Sequence, residues 1–491
     1  MGTHAETPGR SEGATRVGRW LGPALFFLLW LIPAGSLTGD AKTVAAVVVW
    51  MAVWWVTEAA PLAVTALLPL VLFPLLGVRS VTAVAPSYGD DMVFLFLGGF
   101  ILAIAVERSG LHRRLALAIL TTLGTSARRL VWAFLLVTAG LSMWLSNTAT
   151  TLMLLPIAAG VVERTAVKRS ATRIFLAVAY GASIGGVATL IGTPTNVVLA
   201  GMAPSLVEGL PALTFGGWML FGVPLVACLL PIAGLLLGRG LPRTDETSVR
   251  EALWDERTAL GPLTSTERRT AVLFALTALA WVTRSKMELG NFTLPGWSLL
   301  LPDPRLVSDA VPAIAAAIIA AILPAGGKTK RPLVTWSEIH DGVPWGILVL
   351  FGGGFAIAEG MHAAGLDAWL AAELQGLAAL PLSAMILAVC LVSMAATELT
   401  SNTATATLLM PIMAAFSTSL GAPPYLLMVP AAVSCSCAFM LPVATPPNAI
   451  VIGSGHVTAR DLFLEGVRLN ALAALLITVL VLTLGRVVLP M

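Results

Sequence analysis

Long apolar runs fill this chain, and a few knots of small polar residues interrupt them. About twenty apolar residues cross a bilayer, and runs of that kind predict spans near 21–37, 41–57, 60–78 and 91–108. The next stretch, Gly110–Gly124, has a different period: Leu111, Leu115, Ala118, Ile119 and Leu123 share a face, with His112, Arg113 and Arg114 beside it. That pattern predicts an amphipathic helix lying along the membrane surface. Arg128–Arg164 follows, two apolar arms of about 17 residues around the polar sequence Ser146-Asn147-Thr148-Ala149-Thr150-Thr151. Arms so short barely cross, and the polar middle predicts a re-entrant hairpin that leaves on the side it entered. A broken helix comes next: Ile174–Ala188, the loop Gly192-Thr193-Pro194-Thr195-Asn196, then Val197–Met202. Proline there removes a backbone donor and interrupts the helix. After a span near 216–238, a polar linker, 239–269, carries six Arg against six acidic residues.

The second half retraces the first. Spans are predicted near 271–283, 308–325 and 343–362 around a polar insertion at 284–306, then a surface helix at 366–377 and a hairpin at 381–420. A broken helix and a last span near 467–487 complete it. Ser401-Asn402-Thr403-Ala404-Thr405-Ala406 repeats the first polar knot at an offset of 255, which also relates Pro156 to Pro411 and Pro69 to Pro324. Gly98-Gly99-Phe100 and Gly353-Gly354-Phe355 keep that offset, as do Gly110-Leu111 and Gly365-Leu366. Thr445-Pro446-Pro447-Asn448 echoes Thr193-Pro194-Thr195-Asn196 at 252. The chain is an internal duplication.

Composition fixes the solvent. Of 491 residues 57% are hydrophobic and 11% charged, with a mean hydropathy of +0.89, whereas soluble domains carry about a quarter charged residues. Continuous runs such as Ala271–Val282 and Ala471–Leu484 exclude the alternating segments of a transmembrane barrel. The expected fold is therefore an all-α polytopic membrane protein of about eleven transmembrane helices. A net charge of +3 gives no basis for nucleic-acid binding; placement of the charges says more. With a cytoplasmic N-terminus, 23 of 29 Lys and Arg residues lie inside, leaving Lys42, Arg79, Arg284, Lys286, Arg305 and Arg486 outside. That layout follows the positive-inside rule. It puts the first hairpin on the cytoplasmic side, the second hairpin and the C-terminus outside, and makes the repeats inverted, as alternating access favours. The first apolar segment, Leu21–Leu37, lacks a small-residue cleavage site and reads as a retained helix. Cys228, Cys390, Cys435 and Cys437 read as small buried hydrophobes.

A polar knot at membrane depth strands hydrogen-bonding groups away from water. Two such knots at matching positions mark a transporter's binding site. Each is expected to turn the chain at the start of a half-helix, whose free N–H groups and positive dipole end attract an anion. The broken helices add freed carbonyls for a hard cation, and Gly185, Gly186, Gly192 and Ala444 allow close backbone approach. None of these elements contains Arg or Lys, so dipoles and bound cations would balance a dianion. Two inverted clusters imply two cation sites and one shared substrate site. Small polar residues also serve ordinary helix packing, but paired copies, each with its own broken loop, favour the site. Glu398 precedes the second knot, with Met143 as its counterpart, and is expected to be a hydrogen-bonded support. Glu58 and Glu107 are expected at the membrane interface, His362 and His456 as structural residues. Asn291-Phe292-Thr293 matches a glycosylation triplet, but 24 Arg to 5 Lys favours a bacterial chain, and the inner membrane as its place. A passive channel is disfavoured because broken helices closing a central site favour alternating access. An intramembrane enzyme would cluster acids, His or metal ligands instead.

The paired Ser-Asn-Thr sequences, Trp55-Val56-Thr57-Glu58-Ala59-Ala60-Pro61 and the Thr-Pro-x-Asn loops together resemble the divalent anion:sodium symporter family, which includes sodium-coupled dicarboxylate and citrate transporters. The resemblance implies no enzyme and no organic cofactor. It implies a homodimer that moves dicarboxylate and sodium across the lipid by an elevator motion. Scaffold parts would span 21–125 and 270–378, and transport parts 126–238 and 379–491, with an N-terminal tail at 1–20 and the linker at 239–269. It further implies one sodium ion at Ser142, Ser146, Asn147 and the backbone of Gly192. A second would lie at Thr397, Thr400, Asn402 and the backbone of Ala444. Substrate carboxylates would meet Asn147, Thr148, Ser401, Asn402, Thr403, Thr445 and Pro446. Thr195 stands where the family often has a second Pro, which leaves the first loop's shape open. The expected activity is sodium-coupled import of C4-dicarboxylates such as succinate, malate and fumarate. The alternatives are citrate, sulfate or another divalent anion, or sodium-independent exchange.

Overall fold

The computed structural model describes residues 12–33, 35–163, 168–242, 247–289, 292–326, 329–374 and 380–490. Asn291 of the glycosylation-like triplet, Arg164 and Lys328 of the charge count, and residues 1–11 of the tail lie outside them. The described chain is overwhelmingly helical, and seven of its helical segments have the length and composition to cross a membrane. Four shorter apolar segments accompany them: Leu62–Leu75, Asn147–Val162, Ala310–Ile322 and Tyr425–Ser436.

The duplication is visible as equivalent elements. The first hairpin is Ala127–Ser142 and Asn147–Val162, the second Leu382–Leu399 and Asn402–Leu420. The second arms begin at residues 147 and 402, which keeps the offset of 255. Each broken helix stops and restarts: Lys168–Gly186 then Pro194–Leu206, and Tyr425–Ser436 then Pro446–Gly453. Restarts at Pro194 and Pro446 follow from proline's fixed φ and missing N–H, which suit the first helical position. The first broken helix lies close against the first hairpin because Gly185 presents no side chain. A Cβ there would stand 2.3 Å from Ala139 O.

Several expected elements differ in detail. The span at 60–78 is two pieces, Leu62–Thr65 and Leu68–Leu75, in a segment punctuated by Pro61, Pro69 and Pro74. The span at 308–325 contains a 13-residue helix, Ala310–Ile322. The first helix runs earlier than its apolar core, from Glu12 to Leu31. Polar residues 284–306 form a small antiparallel hairpin, Met287–Leu289 against Phe292–Leu294, with Leu289 opposite Phe292. The linker also folds. Thr247–Ala259 is a helix, and Ser265–Val282 starts at a capping box in which Thr264 and Glu267 satisfy each other's backbone N–H. Arg114 ties this region to the surface helix, Leu111–Thr122, through Glu267 at 2.8 Å and the carbonyls of Leu260, Gly261 and Pro262.

That surface helix is apolar on two sides. Ala116, Leu117 and Leu120 enter the core, Leu111 is buried rather than lipid-facing, and Leu115, Ile119 and Leu123 are exposed. Cys390, Cys435 and Cys437 are buried as expected, but Cys228 is exposed on Phe215–Leu237, because its position falls on that helix's outer face.

A buried carboxylate joins the two halves. Asp309, 1% exposed, accepts a hydrogen bond from the Phe215 backbone N–H at 2.8 Å and pairs with Arg284. Trp281 stacks on Phe215 with ring centroids 4.8 Å apart. Removing one partner of such a pair leaves a buried charge uncompensated, at a cost of about 3–5 kcal/mol. Asp309→Ala is therefore expected to lower the thermal stability of the detergent-purified protein markedly, and an unchanged melting curve would count against the joint.

Candidate functional site

Both hairpin tips and both broken loops meet at one cavity of about 570 Å³. Ser146, Asn147 and Thr148 line it from the first hairpin, and Thr400, Ser401, Asn402 and Thr403 from the second. Gly192, Thr193 and Pro194 come from the first loop, Ala444, Thr445 and Pro446 from the second. Of the residues expected in the site, only Ser142 and Thr397 are absent from this wall; both are fully buried behind the tips.

Four helices begin at the cavity: Asn147–Val162, Pro194–Leu206, Asn402–Leu420 and Pro446–Gly453. Each helix start carries roughly +0.5 of an elementary charge, so four together present about +2. The ends differ in chemistry. The first N–H groups of a helix have no acceptor within it, so the hairpin tips can donate from backbone as well as from Asn and Thr side chains. At the broken loops Pro194, Pro446 and Pro447 take the first positions, and these ends contribute field more than N–H groups. Ser146 caps its own helix, accepting from the Ala149 N–H at 3.2 Å. Ser401 makes no such side-chain cap.

Behind each tip lies a cluster of oxygen atoms. Ser142 Oγ stands 2.7 Å from Asn147 Oδ1 and 2.8 Å from Ala182 O. In the other repeat Thr397 Oγ1 stands 2.6 Å from Asn402 Oδ1 and 2.9 Å from Cys435 O. A hydroxyl has one hydrogen to donate, so three oxygens share one hydrogen in each cluster, an environment suited to a hard cation. Gly186 leaves the space for it: a Cβ there would lie 2.6 Å from Asn147 Oδ1 and 3.0 Å from Gly192 O. Thr400 is turned differently. Its hydroxyl donates to Ala396 O at 2.9 Å and pairs with the Thr405 hydroxyl, and its counterpart in the first repeat is Leu145.

Tip and loop are tied together by different chemistry in the two repeats. Thr189 Oγ1 donates to Met143 O at 2.5 Å in the first. In the second, Glu398, in the place of Met143, accepts from the Met440 and Leu441 N–H groups at 2.8 Å each and from Asn470 at 3.1 Å. Glu398 is thus a hydrogen-bonded support, 2% exposed. Thr195 joins the first loop to the opposite broken helix through Ser436 Oγ at 2.6 Å, a bond that a second proline could not make. His456 stacks on Phe175, His362 pairs with Asp367, and neither reaches the cavity.

Sequence reasoning missed part of the wall. Glu58 and Glu107, expected at the interface, line the cavity and are, among the described residues, its only charged lining residues. Phe96, Phe100 and Ile347 supply an apolar side. The hint for Glu58 was available in the Thr57-Glu58-Ala59-Ala60-Pro61 sequence, where Glu58 takes the left-handed conformation at φ 50°. Nothing in the sequence brought Glu107 to it. Among the described residues no group of three or more His, Cys, Asp or Glu is placed to hold a metal ion.

Helix ends and oxygen clusters around a cavity within an apolar helical bundle define a membrane transporter. A profile described as the sodium:sulfate symporter transmembrane region matches residues 16–491. The sodium-dependent dicarboxylate transporter SdcS of Staphylococcus saprophyticus is 37% identical over 480 residues, covering 95% of this chain and 90% of that protein. SdcS of Staphylococcus aureus is 37% identical over 485 residues with the same coverage. The chain belongs to the divalent anion:sodium symporter family. More distant solved structures share the fold: Neisseria gonorrhoeae MtrF at TM-score 0.57 and 12% identity, covering 94% of this chain and 96% of that one. The Alcanivorax borkumensis YdaH transporter follows at 0.54 and 13%, covering 82% and 87%.

Proposed function

We propose that this chain is a sodium-coupled symporter that imports C4-dicarboxylates such as succinate, malate and fumarate. The observation that carries this reading is the convergence of four helix N-termini on a cavity that, among the described residues, no Lys or Arg lines. With Glu58 and Glu107 on the same wall, the helix ends and two bound sodium ions together offset a dianion without a basic side chain, which would be the usual partner of a carboxylate. Asn147, Thr148, Ser401, Asn402, Thr403 and the Thr445-Pro446 end hold the carboxylates. Ser142, Ser146, Asn147 and Gly192 hold one sodium ion; Thr397, Asn402 and Ala444 hold the other, with Thr400 buttressing that tip through Thr405. Bound sodium supplies positive charge beside the dianion. Glu58 and Glu107 at the wall favour cations over free dianions, which suits entry of sodium before substrate. The dicarboxylate and sodium specificities named for the staphylococcal relatives support the same assignment.

The hairpins are re-entrant and the repeats inverted. Arms of 16 residues in the first hairpin reach about 24 Å, short of the roughly 30 Å hydrocarbon layer. The second hairpin's arms are 18 and 19 residues, and its re-entrant path rests on its symmetry with the first. The protein is a homodimer in the bacterial inner membrane, about eleven crossings per chain, with hairpins and broken helices carried as an elevator past a scaffold. A cysteine at Glu163, exposed at the open end of the first hairpin, is expected to react with impermeant reagent from the cytoplasm, and one at Leu380, exposed at the open end of the second, from outside; the reverse pattern would refute this topology. Function is tested by uptake of labelled succinate into proteoliposomes with and without a sodium gradient. Sodium-driven accumulation inhibited by malate and fumarate is expected. Stronger inhibition by citrate or sulfate would reassign the substrate, and uptake indifferent to sodium would overturn the coupling.

A further inference from the structure

We propose that Asn196 and Asn448 are positioning residues for cation binding: each clamps its broken-helix loop in the shape that presents the Gly192 or Ala444 carbonyl. The inference rests on the assignment of those carbonyls to the sodium sites. Asn196 and Asn448 are related by the loop offset of 252, both are fully buried, and neither lines the cavity. Asn196 Nδ2 donates to Thr189 O at 2.7 Å, Val187 O at 3.2 Å and Gly186 O at 3.3 Å. Asn448 Nδ2 donates to Ala438 O and Leu441 O at 3.0 Å each. The acceptors at 186 and 438, and at 189 and 441, keep the same offset of 252.

These carbonyls lie where each helix is interrupted, the groups that lose their partners there. By collecting them, each amide closes its loop across ten residues, from 186 to 196 and from 438 to 448. The clamp reaches the cation space directly in the first repeat, where a Cβ on Gly192 would lie 2.4 Å from Gly186 O, one of the clamped carbonyls. Orientation of the amide is forced, because turning it over would set its oxygen against carbonyl oxygens. The result is that Oδ1 of both residues is buried without a hydrogen-bond partner. An unmet buried oxygen is costly, and bearing it at both equivalent positions identifies the donor side as the feature retained.

The test uses Asn196→Asp and Asn448→Asp, which keep size but set acceptors against the carbonyls. Half-saturating sodium is measured at saturating succinate in proteoliposomes, and succinate KM at saturating sodium. Each variant is expected to raise half-saturating sodium about tenfold or more while changing succinate KM less than about threefold. Asn196→Ser and Asn448→Ser, which retain one donor, are expected to lie between. Their sodium affinity is also read without transport, from the rise in melting temperature that sodium gives the purified protein. Wild-type sodium affinity in these variants would overturn the inference. Equal losses for sodium and succinate would do so too, as would failure of both the Asp and Ser variants to fold. Wild-type protein and Asn402→Ala separate this from the parent reading. If wild-type uptake ignores sodium, the cation sites themselves are wrong; if Asn402→Ala loses sodium dependence while the Asn448 variants keep it, only the positioning role fails.

Discussion

Asn147→Ala and Asn402→Ala are each expected to reduce succinate uptake about a hundredfold or more while leaving the purified protein's elution and melting profiles near wild type. Each Asn occupies the first position of a helix at the cavity and turns its Oδ1 toward a buried hydroxyl, Ser142 at 2.7 Å or Thr397 at 2.6 Å. On the proposed assignment the substitution removes a cation oxygen and a substrate donor together. A hydrogen bond to a charged group is worth about 1.5–3 kcal/mol, and losing two such interactions exceeds a factor of a hundred, at 1.4 kcal/mol per tenfold. Alanine is well tolerated near a helix start, so the fold has little reason to suffer. Wild-type sodium dependence in both variants would remove the assigned cation sites.

Gly186→Ala is the complementary change, adding an atom instead of removing one. Its Cβ would sit 2.6 Å from Asn147 Oδ1 and 3.0 Å from the Gly192 carbonyl oxygen, inside van der Waals contact with both. Backbone at Gly192 yields poorly, because a Cβ there would already be 2.4 Å from Gly186 O. The methyl group should therefore displace the cation and rotate Asn147 away, abolishing sodium-driven uptake. Gly140→Ala is the control: a Cβ at Gly140 meets nothing within 4 Å, and uptake should be unchanged. A Gly186→Ala variant with wild-type half-saturating sodium would place the first cation elsewhere.

Much of the architecture could be read in advance because lipid restricts backbone so severely. With no water to satisfy N–H and C=O groups, apolar runs must be helical, and interruptions such as Ser146-Asn147-Thr148 or Thr193-Pro194 stand out against them. The offsets of 255 and 252 then brought distant residues into register, and the structure gathers Asn147, Asn402, Gly192 and Ala444 around one cavity. What stayed hidden depends on packing between elements. The span at 60–78 reads as continuous because its prolines are apolar, yet it breaks into short helices. The linker helix Thr247–Ala259 is polar enough to read as a joining segment until its contact with the surface helix is known. Glu107 has no local sign of facing a cavity, and the contacts of the Thr400 hydroxyl with Ala396 O and Thr405 follow from packing that no residue pattern reports. The clamp formed by Asn196 and Asn448 is visible in sequence only as part of a repeated loop; its acceptors are backbone atoms, which no residue pattern reports.

Helix ends and sodium ions, with no basic side chain, are proposed to hold the dianion. Calorimetric titration of succinate into purified protein tests it most directly, performed in sodium and again with sodium replaced by potassium at equal ionic strength. Saturable binding is expected in sodium, and its loss in potassium. Equal affinity in the two salts would contradict that role for sodium.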